Sequence, residues 1–283
     1  MKRVLVIGDT LLDKYVYGSV DRVSPEAPVL VFDYLSKEKI LGGALNVCAN
    51  IRTLFGTDLA VDYCGFYSFD VQSLCAEYDI SLELTSIPVY PEDVLTKTRF
   101  VCKNHQIMRL DNKKLYSNEN SFACKLRLAD ILKKNSYDLI VISDYNKGTL
   151  KECWDVLSSV RIPKLIDSKY SEFRCVDEQT IIKINSLEHE SWRQEIIAKE
   201  IVITMGGNGY KLLNEGKWFP SISKDQEVVD VCGAGDVFLA GMAANYLDTG
   251  NFDACSMAAF GNIAAGEKVK RFGTVCVKRE WLK

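Results

Sequence analysis

The sequence predicts an α/β fold in which one mostly parallel β-sheet lies between two layers of helices. Apolar runs typical of buried strands alternate with helical patterns along most of the chain, and many of these runs end in a polar residue. Alternation at this spacing is typical of a parallel sheet that is covered on both faces. The chain has 283 residues, a length that suits one large α/β domain. We therefore expect a single domain over residues 1–283.

The order of the elements follows from the apolar patterns. A first strand is predicted at residues 4–7, where the apolar run ends in Gly8-Asp9, and a helix begins at the double glycine Gly42-Gly43. Later strands are predicted at residues 59–65, 139–143, 164–167, 180–184 and 201–204. Helices are predicted at residues 71–78, 122–134, 151–160 and 237–247. Polar residues at strand ends are expected to line one rim of the sheet: Asp9, Asp144, Asp167, Asn185 and Thr204.

Two excursions from this alternation predict a small second sheet. Residues 14–17 and 29–32 are β-type runs joined by a connection with two prolines, and residues 96–102 and 106–111 form a second such pair. We expect them to form a lid over about residues 13–35 and 95–112. A sheet with one uncovered face needs a substrate or a second subunit against it. A homodimer through this sheet is therefore predicted, with the following residues available to cover its apolar face: Tyr15, Tyr17, Val29, Val31 and Phe100.

Composition excludes several classes of protein. The net charge is −3 and no apolar run approaches about 20 residues, which disfavours nucleic-acid binding and membrane insertion. The ten cysteines include no C-x-x-C pair, and the N-terminal apolar run is too short for a secretory signal. We therefore expect reduced thiols in a cytoplasmic protein. With only two histidines, a Cys/His zinc site and a Ser-His-Asp hydrolase are both disfavoured.

One stretch near the C-terminus predicts chemistry. Gly233-Ala234-Gly235-Asp236 precedes the apolar run at residues 237–247, so its backbone amides should lie at a helix N-terminus and form an anion site. Asp236 would then lie in the first helical turn, beside that site. This arrangement suits a carboxylate that takes a proton from a hydroxyl while the amides hold a transferring phosphoryl group. A glycine-rich turn followed by a dipole-favoured aspartate is the structural alternative.

Other polar residues predict a ligand site at the same rim. Asp9 and Asp13 follow the first strand, where carboxylates would suit sugar hydroxyls. Gly42-Gly43 would let a ligand approach the backbone, with Asn46 in the first turn beyond, although tight helix–sheet packing also explains the glycines. Asn185 and Glu188 could hold waters around Mg²⁺, or could be a helix cap and a first-turn acid.

Taken together, these motifs resemble the ribokinase (PfkB) family of sugar kinases along nearly the whole chain. The family's closing D-x-x-G-A-G-D matches residues 230–236, and its G-D-x-x-x-D matches residues 8–13. Its G-G-x-x-x-N matches residues 42–46, and its N-x-x-E matches residues 185–188. Three further segments resemble the heptose-7-phosphate kinase branch: residues 15–29, 97–111 and 143–148. This branch includes the kinase half of the bifunctional heptose kinase/adenylyltransferase.

The resemblance implies a ribokinase-like three-layer sandwich with a small β-sheet lid. It implies ATP-dependent phosphorylation of the anomeric hydroxyl of D-glycero-D-manno-heptose 7-phosphate, with Mg²⁺, on the way to ADP-heptose for lipopolysaccharide or a similar glycan. A monovalent cation such as K⁺ is left open. Asp236 would be the base, the amides of Gly233, Ala234 and Gly235 would hold the phosphoryl group, and Asn185 and Glu188 would assist Mg²⁺. The resemblance places ATP along Thr204, Gly206, Gly209 and Asn262, and places Asp144 and Lys147 with the substrate.

A substrate that already carries a phosphate needs a basic pocket. Four candidates cluster in the second excursion: Lys97, Arg99, Lys103 and Arg109. Arg99 and Arg109 are preferred because the guanidinium fork matches phosphate oxygens, with Lys147 and Lys169 next in line. Solvated charges on alternating strand positions are the alternative for some of them.

The chain departs from the family pattern in places. Cys232 replaces a small residue of the closing motif, and Asp167-Ser168-Lys169 replaces D-P-K. The chain ends at Lys283, about where the kinase fold should end, so no adenylyltransferase domain is expected within it. Two alternatives stay open: a kinase of this family for another sugar or sugar phosphate, and a non-catalytic ATP- or sugar-binding protein of the same fold.

Overall fold

The core of the molecule is a nine-stranded β-sheet with helices on both faces. The computed structural model describes residues 1–56, 58–82, 85–103, 105–112, 115–169, 177–191, 198–219 and 227–282. The strands are β1 (Lys2–Gly8), β2 (Thr10–Val23), β3 (Leu30–Gly43), β4 (Leu59–Cys64), β5 (Phe66–Tyr67), β6 (Ile80–Ser81), β7 (Ile87–Pro88), β8 (Leu95–Cys102), β9 (His105–Asp111), β10 (Leu139–Asp144), β11 (Lys164–Ser168), β12 (Thr180–Asn185), β13 (Glu200–Thr204), β14 (Tyr210–Leu212) and β15 (Lys217–Phe219). The helices are α1 (Ala44–Phe55), α2 (Phe69–Glu77), α3 (Asn118–Lys134), α4 (Trp154–Ser159), α5 (Ser186–Ser191), α6 (Ala234–Thr249) and α7 (Ala254–Val269).

The topology of the large sheet changes direction at β1. β1 lies in its interior, parallel to β10 on one side and to β4 on the other. Beyond β10 the order continues with β11, β12 and β13 in parallel, and then with the antiparallel strands β14 and β15. Because the chain order reverses at β1, the topological switch point lies at the carboxyl ends of β1 and β10. Open α/β sheets bind their ligands at such a point.

Alternation along the central strands builds two cores, one on each face of the sheet. Val4 and Val6 of β1 pack with α1, α6 and α7, whereas Leu5 and Ile7 pack with α3 and α4. A side chain of this kind contributes about 1.5–3 kcal/mol when fully buried. Both faces of β1 are therefore apolar, as expected for a covered parallel strand. The predicted three-layer α/β sandwich is confirmed.

The two excursions form a four-stranded sheet in the order β3-β2-β8-β9. Its strands are longer than predicted, since β2 begins at Thr10 and β3 continues to Gly43, which caps α1. Tyr15 pairs with Arg99 and Val16 pairs with Phe100. Because neighbouring residues of a strand face opposite sides, Tyr15 lies on the inner face and Phe100 on the outer face.

This alternation corrects the predicted apolar surface of the small sheet. Tyr15 is only 1% exposed and packs edge-on against Phe272, so it does not contribute to an outer surface. Exposed apolar side chains of the outer face come instead from other strands, among them Tyr34 and Met108. An apolar outer face therefore exists, but it is built from partly different residues.

Some elements have no counterpart in the sequence prediction, notably α7 and the β14–β15 hairpin. None of the helices in the described ranges is long and apolar enough to cross a membrane. Nine cysteines have free thiols, and the tenth, Cys175, lies outside the described residues.

Candidate active site

Two adjoining cavities lie over the N-terminus of α6. The larger, about 600 Å³, is lined by residues at the ends of β10, β11 and β12 together with the anion loop, residues 230–235, and Asp236. The smaller, about 160 Å³, has mainly apolar walls that include Val228, Phe238 and Val269. Both cavities share Thr204, Gly206, Val231, Ala234 and Gly235. The pair therefore forms one groove with a polar end and an apolar end.

Asp236 is buried at the polar end of this groove. It lies in the first turn of α6 and is 6% exposed. One carboxylate oxygen accepts a hydrogen bond from Asn46 Nδ2 at 2.9 Å, and the other accepts one from the Tyr145 hydroxyl. Asn50 Nδ2 donates to Asn46 Oδ1 at 2.9 Å, which turns the Asn46 amide nitrogen toward Asp236. The structure thus brings the predicted Asp236 and Asn46 into contact.

The environment of Asp236 favours proton uptake. Burial raises the pKa of its carboxyl, whereas the hydrogen bonds from Tyr145 and Asn46 lower it. The nearby charges of Asp167 and Lys183 act in opposite directions on the same pKa. A carboxylate with a raised pKa accepts a proton more readily, which is the property expected of a general base.

The anion loop has the backbone geometry that its glycines predict. Gly233 is the N-cap of α6 with φ +76°, and a Cβ there would lie 3.1 Å from Asn46 Nδ2. The Ala234 amide donates to the Val231 carbonyl at 3.1 Å, so this predicted anion donor is already engaged. The amides of Gly233 and Gly235, together with the positive end of the helix dipole, are therefore still predicted to bind an anion.

A buried lysine that was not predicted lies beside the loop. Lys183 of β12 is 4% exposed, and its Nζ lies 2.5 Å from Asp167 Oδ2. A Cβ added at Gly235 would lie 3.1 Å from this ammonium group. A charged residue inside the apolar run at residues 180–184 was the sequence signal from which this lysine could have been predicted. Its position suits a contact with a phosphoryl group at the loop.

Asp13 is held by a buried ion pair. Arg99 Nη1 donates to Asp13 Oδ1 at 2.5 Å, and Thr274 Oγ1 donates to Asp13 Oδ2 at 3.1 Å. The other Arg99 nitrogen, Nη2, donates to Cys232 Sγ at 3.2 Å. A Cβ at Gly42 would lie 2.8 Å from Asp13 Oδ2, so the double glycine leaves room for this carboxylate. Arg99, predicted as a phosphate ligand, instead directs both terminal nitrogens to other partners.

Asp9 follows β1, as predicted, and its carboxylate faces backbone amides. It has no exposed surface, and its carboxylate accepts backbone N–H groups of Tyr145 at 2.8 Å, Lys147 at 3.0 Å and Thr149 at 3.3 Å. These bonds fix the loop after β10, which carries Tyr145 to Asp236. The Asp9 carboxylate therefore orients the loop after β10, and its contact with a sugar hydroxyl stays a prediction.

Asp144, the neighbour of this loop, lines the large cavity. Burial and the adjacent charge of Asp9 raise the pKa of Asp144 to about 7, although hydrogen bonds from Ser168 and the Asn146 amide oppose the shift. Asp144 also borders a further cavity of about 420 Å³ that is lined by Lys147. These two predicted substrate residues therefore line one cavity, which adjoins the groove at Asp144.

The basic residues predicted to bind the sugar phosphate do not all lie at the same place. Lys97 and Lys169 place their ammonium groups 5.5 Å and 5.3 Å from the centroid of the Tyr145 ring. Arg109 is exposed on β9 and pairs with Asp111 at 2.8 Å. The two lysines therefore lie against the ring whose hydroxyl donates to Asp236.

Asn185 and Glu188 form a reciprocal cap at the start of α5. The Glu188 amide donates to Asn185 Oδ1 at 2.8 Å, and the Asn185 amide donates to Glu188 Oε2 at 2.9 Å. Lys169 pairs with Glu188 Oε1 at 3.0 Å. Burial acts to raise the pKa of Glu188, but the Asn185 amide and Lys169 outweigh it and lower this pKa.

The donor set of Asn185 and Glu188 consists of oxygens, which Mg²⁺ prefers. Because both Glu188 oxygens already accept hydrogen bonds, the pair fits an ion held through water. Within the described ranges, no cluster of three or more His, Cys, Asp or Glu residues could hold a metal directly.

The remaining predicted nucleotide residues line the apolar end of the groove. Thr204, Gly206, Gly209 and Asn262 all border the smaller cavity. A mostly apolar cavity with a few polar groups is typical of a small-molecule site. The groove therefore has an apolar end and, at its other end, a buried carboxylate beside the glycine-rich N-terminus of α6.

Comparison with known proteins agrees with this geometry. Residues 178–279 match the family described as pfkB family carbohydrate kinase. The bifunctional protein HldE of Pasteurella multocida (strain Pm70) is 32% identical over 302 residues, which cover 97% of this chain and 61% of that protein. The chain thus spans about three fifths of the length of the curated relatives it matches.

Solved structures share the fold. Ribokinase from Thermotoga maritima matches with a TM-score of 0.69 and 17% identity, covering 100% of this chain and 98% of that one. Escherichia coli phosphofructokinase-2, solved with substrates and products, matches with a TM-score of 0.73 and 15% identity, covering 100% and 97%. The fold is therefore that of the ribokinase-like kinases. The chain therefore resembles the pfkB carbohydrate kinases, by a family match over residues 178–279 and by its similarity to HldE.

Proposed function

We propose that this protein is an ATP-dependent kinase for the anomeric hydroxyl of D-glycero-D-manno-heptose 7-phosphate. The observation that carries the proposal is the buried Asp236 carboxylate beside the glycine-rich N-terminus of α6, in a groove with an apolar end. The choice of sugar rests on the similarity to HldE over 97% of the chain and on the motifs of the heptose-kinase branch. The product would be the 1,7-bisphosphate, a precursor of ADP-heptose for lipopolysaccharide or a similar glycan.

The polar residues around the N-terminus of α6 have separate tasks in the proposed reaction. The sugar oxygen bonds to the γ-phosphorus of ATP while the bond to the β–γ bridging oxygen breaks, and the hydroxyl proton passes to Asp236. Asn46 holds the second Asp236 oxygen in place. The amides of Gly233 and Gly235, with Lys183, stabilise the negative charge of the phosphoryl group. Asn185 and Glu188 would hold Mg²⁺ through water, and the ion would neutralise charge on the ATP phosphates.

Sugar recognition is proposed at the inner face of the small sheet. Asp13, oriented by Arg99 and Thr274, would accept hydrogen bonds from sugar hydroxyls beside Gly42 and Gly43. The small sheet would act as a lid that excludes water and protects ATP from hydrolysis.

The phosphate of the sugar would bind near Tyr145. Lys97 and Lys169 are the first candidates, because both ammonium groups lie against its ring and its hydroxyl reaches Asp236. Lys147 at the edge of the groove and Arg109 on β9 are further candidates.

A kinase of the same family for another sugar or sugar phosphate is the second candidate. The observation that favours it is the Arg99–Asp13 ion pair, since the arginine expected to select a phosphorylated sugar is committed elsewhere. A non-catalytic binding protein has less support, because such a protein has no use for a buried carboxylate beside an anion loop.

The test is a panel of sugars with and without a terminal phosphate, with ADP release as the readout and the product identified by NMR. We expect heptose 7-phosphate to be preferred over unphosphorylated heptose by at least about tenfold in kcat/KM, equivalent to roughly 1.4 kcal/mol. A smaller preference would favour the second candidate. Absence of turnover with every sugar, although ADP binds, would favour a binding protein.

The role of Asp236 is tested separately. Asp236→Asn should lower kcat by about 10²–10⁴ while ADP affinity is nearly unchanged. Asp248→Asn is the matched control, because Asp248 is an exposed aspartate near the other end of α6 that pairs with Arg279. A variant at Asp236 that keeps most of its kcat would remove this residue from the role of base.

The proposed assembly is a homodimer through the outer face of the small sheet, in the cytoplasm. Phe32 and Phe100 pack edge to face there, while Tyr34 and Met108 are 60% and 52% exposed. Apolar exposure of this kind is typical of an interface. Light scattering at micromolar concentration should give the dimer mass, and Met108→Glu should shift it toward the monomer without changing ADP affinity. A monomer mass for the parent protein would contradict this assembly.

A further inference from the structure

A buried ammonium group lies beneath the anion loop. Lys268, near the end of α7, has no exposed surface, and its Nζ donates to the Asp230 backbone carbonyl at 2.7 Å and to the Arg271 carbonyl at 3.5 Å. Burial lowers the pKa of Lys268, whereas the charges of Asp230 and Cys232 raise it and that of Arg99 lowers it. A buried cation is costly unless its hydrogen bonds are satisfied, so this placement needs an explanation.

The two carbonyls belong to the segments that shape the active site. Asp230 begins the anion loop, and its carboxylate accepts the amides of Cys232 at 2.9 Å and Gly273 at 2.8 Å. Arg271 begins the turn that leads to Gly273 and then to Thr274, which holds Asp13. One ammonium group therefore joins the loop that should bind the phosphoryl group to the turn that orients Asp13.

Free monovalent cations can perform the same task in proteins. K⁺ binds backbone carbonyl oxygens, and an ammonium ion has a similar size and the same charge. At this position the residues do not fit a free K⁺, because the Asp230 carbonyl is already bound by the Lys268 side chain. A tethered cation differs from a free one in that it cannot dissociate.

We propose that Lys268 is a built-in monovalent cation that positions the anion loop, so that the kinase needs no free K⁺. Lys268 acts through the Asp230 carbonyl and is a positioning residue. The proposal rests on the proposed ATP-dependent kinase activity but not on the identity of the sugar.

The first experiment uses the unmodified protein. ADP release, with whichever sugar of the panel is turned over, and the calorimetric Kd for ADP are compared in potassium chloride and tetramethylammonium chloride at equal ionic strength. We expect both quantities to agree within about twofold. Stimulation by K⁺ of more than about fivefold would overturn the proposal. The Kd comparison needs no sugar, so it decides the question even if the heptose assignment fails.

The second experiment makes the cation removable. Lys268→Ala leaves space at the carbonyls, and in tetramethylammonium we expect kcat and ADP affinity to fall by about tenfold to a hundredfold, since a buried carbonyl loses its partner. Potassium or ammonium ions should then raise both quantities by at least about fivefold, because a free ion binds the vacated carbonyls by mass action. Lys268→Met fills the same space with an apolar chain, so we expect a similar loss without recovery. Lys164→Ala is the matched control, because Lys164 is also fully buried but pairs with Asp177, and it should show no dependence on K⁺.

Two results with the alanine variant would overturn the proposal. One is full activity without K⁺ or ammonium. The other is a loss that neither ion reverses in protein whose thermal melt shows it to be folded. If the alanine variant does not fold, the comparison of salts on the unmodified protein still decides the case.

Discussion

Tyr145→Phe tests how the candidate base is controlled. The substitution removes only the hydroxyl that donates to Asp236, and the ring remains between β8 and the end of β11, where Lys97 and Lys169 contact it. Asn46 continues to hold the other carboxylate oxygen. The variant therefore isolates a single hydrogen bond to the base.

The magnitude follows from that bond. A hydrogen bond to a charged group contributes about 1.5–3 kcal/mol. Its loss should therefore favour protonated Asp236 by that free energy, about tenfold to a hundredfold in the ionisation equilibrium, and raise the pKa of this carboxyl. The direction is upward because the Tyr145 bond lowers this pKa while burial raises it. Since Asp236 must be ionised to accept the hydroxyl proton, the acid limb of kcat/KM should move to higher pH by the same amount.

The assay is the profile of kcat/KM over about pH 5 to 9, with ADP release as the readout. On the alkaline plateau kcat should change little, because the substrate hydroxyl replaces that of Tyr145 in the reacting complex. Tyr137→Phe is the matched control, since it removes a buried hydroxyl that donates to Asp62 at 2.8 Å, far from the groove. An acid limb that stays within about 0.3 units of the parent in Tyr145→Phe would refute the contact or the assignment of Asp236 as base.

Three further predictions concern the surroundings of the base. Arg99→Ala should lower kcat/KM by a similar factor for phosphorylated and unphosphorylated sugars, because it releases Asp13. A selective loss for the phosphorylated sugar in this variant would restore Arg99 as a phosphate ligand. Arg109→Ala, at an exposed site, should change the free energy of unfolding by less than about 0.5 kcal/mol. Gly233→Ala should reduce kcat and ADP affinity together, since φ +76° is strained for alanine, and unchanged kinetics would contradict the proposed loop geometry. Alkylation of Cys232, whose sulfur lies 3.2 Å from Arg99 Nη2, should block turnover, and an alkylated enzyme with full activity would place the loop elsewhere.

The large elements were predictable because their patterns are local. The strand expected at residues 139–143 is β10 at Leu139–Asp144, and the helix expected at residues 237–247 is α6 at Ala234–Thr249. The strands of the small sheet were underestimated, since β2 contains polar residues such as Asp13 that interrupt its apolar run. No helix was predicted over α7, whose many Ala and Gly residues give a weak periodic pattern.

Sequence patterns predicted which residues belong to the candidate site better than they predicted the contacts between those residues. Asp236 and Asn46 are part of recognisable sequence motifs, and the structure brings their side chains into contact. The use of Asp9 was not predictable, because a carboxylate after a strand serves equally for a ligand or for backbone amides. Lys183 and Lys268 lie inside apolar patterns, where sequence alone does not say what a buried ammonium group contacts.

The contact that changes the interpretation most joins residues far apart in the chain. Arg99 of β8 binds Asp13 of β2 and Cys232 of the anion loop, while Thr274 binds the same Asp13. The proposed sugar and phosphoryl sites therefore share one hydrogen-bonded network. Substitutions within such a network are not additive, because each one changes the partners of the next. A loss of sugar affinity in this region consequently does not identify a direct sugar ligand unless the geometry of the anion loop is measured in the same variant.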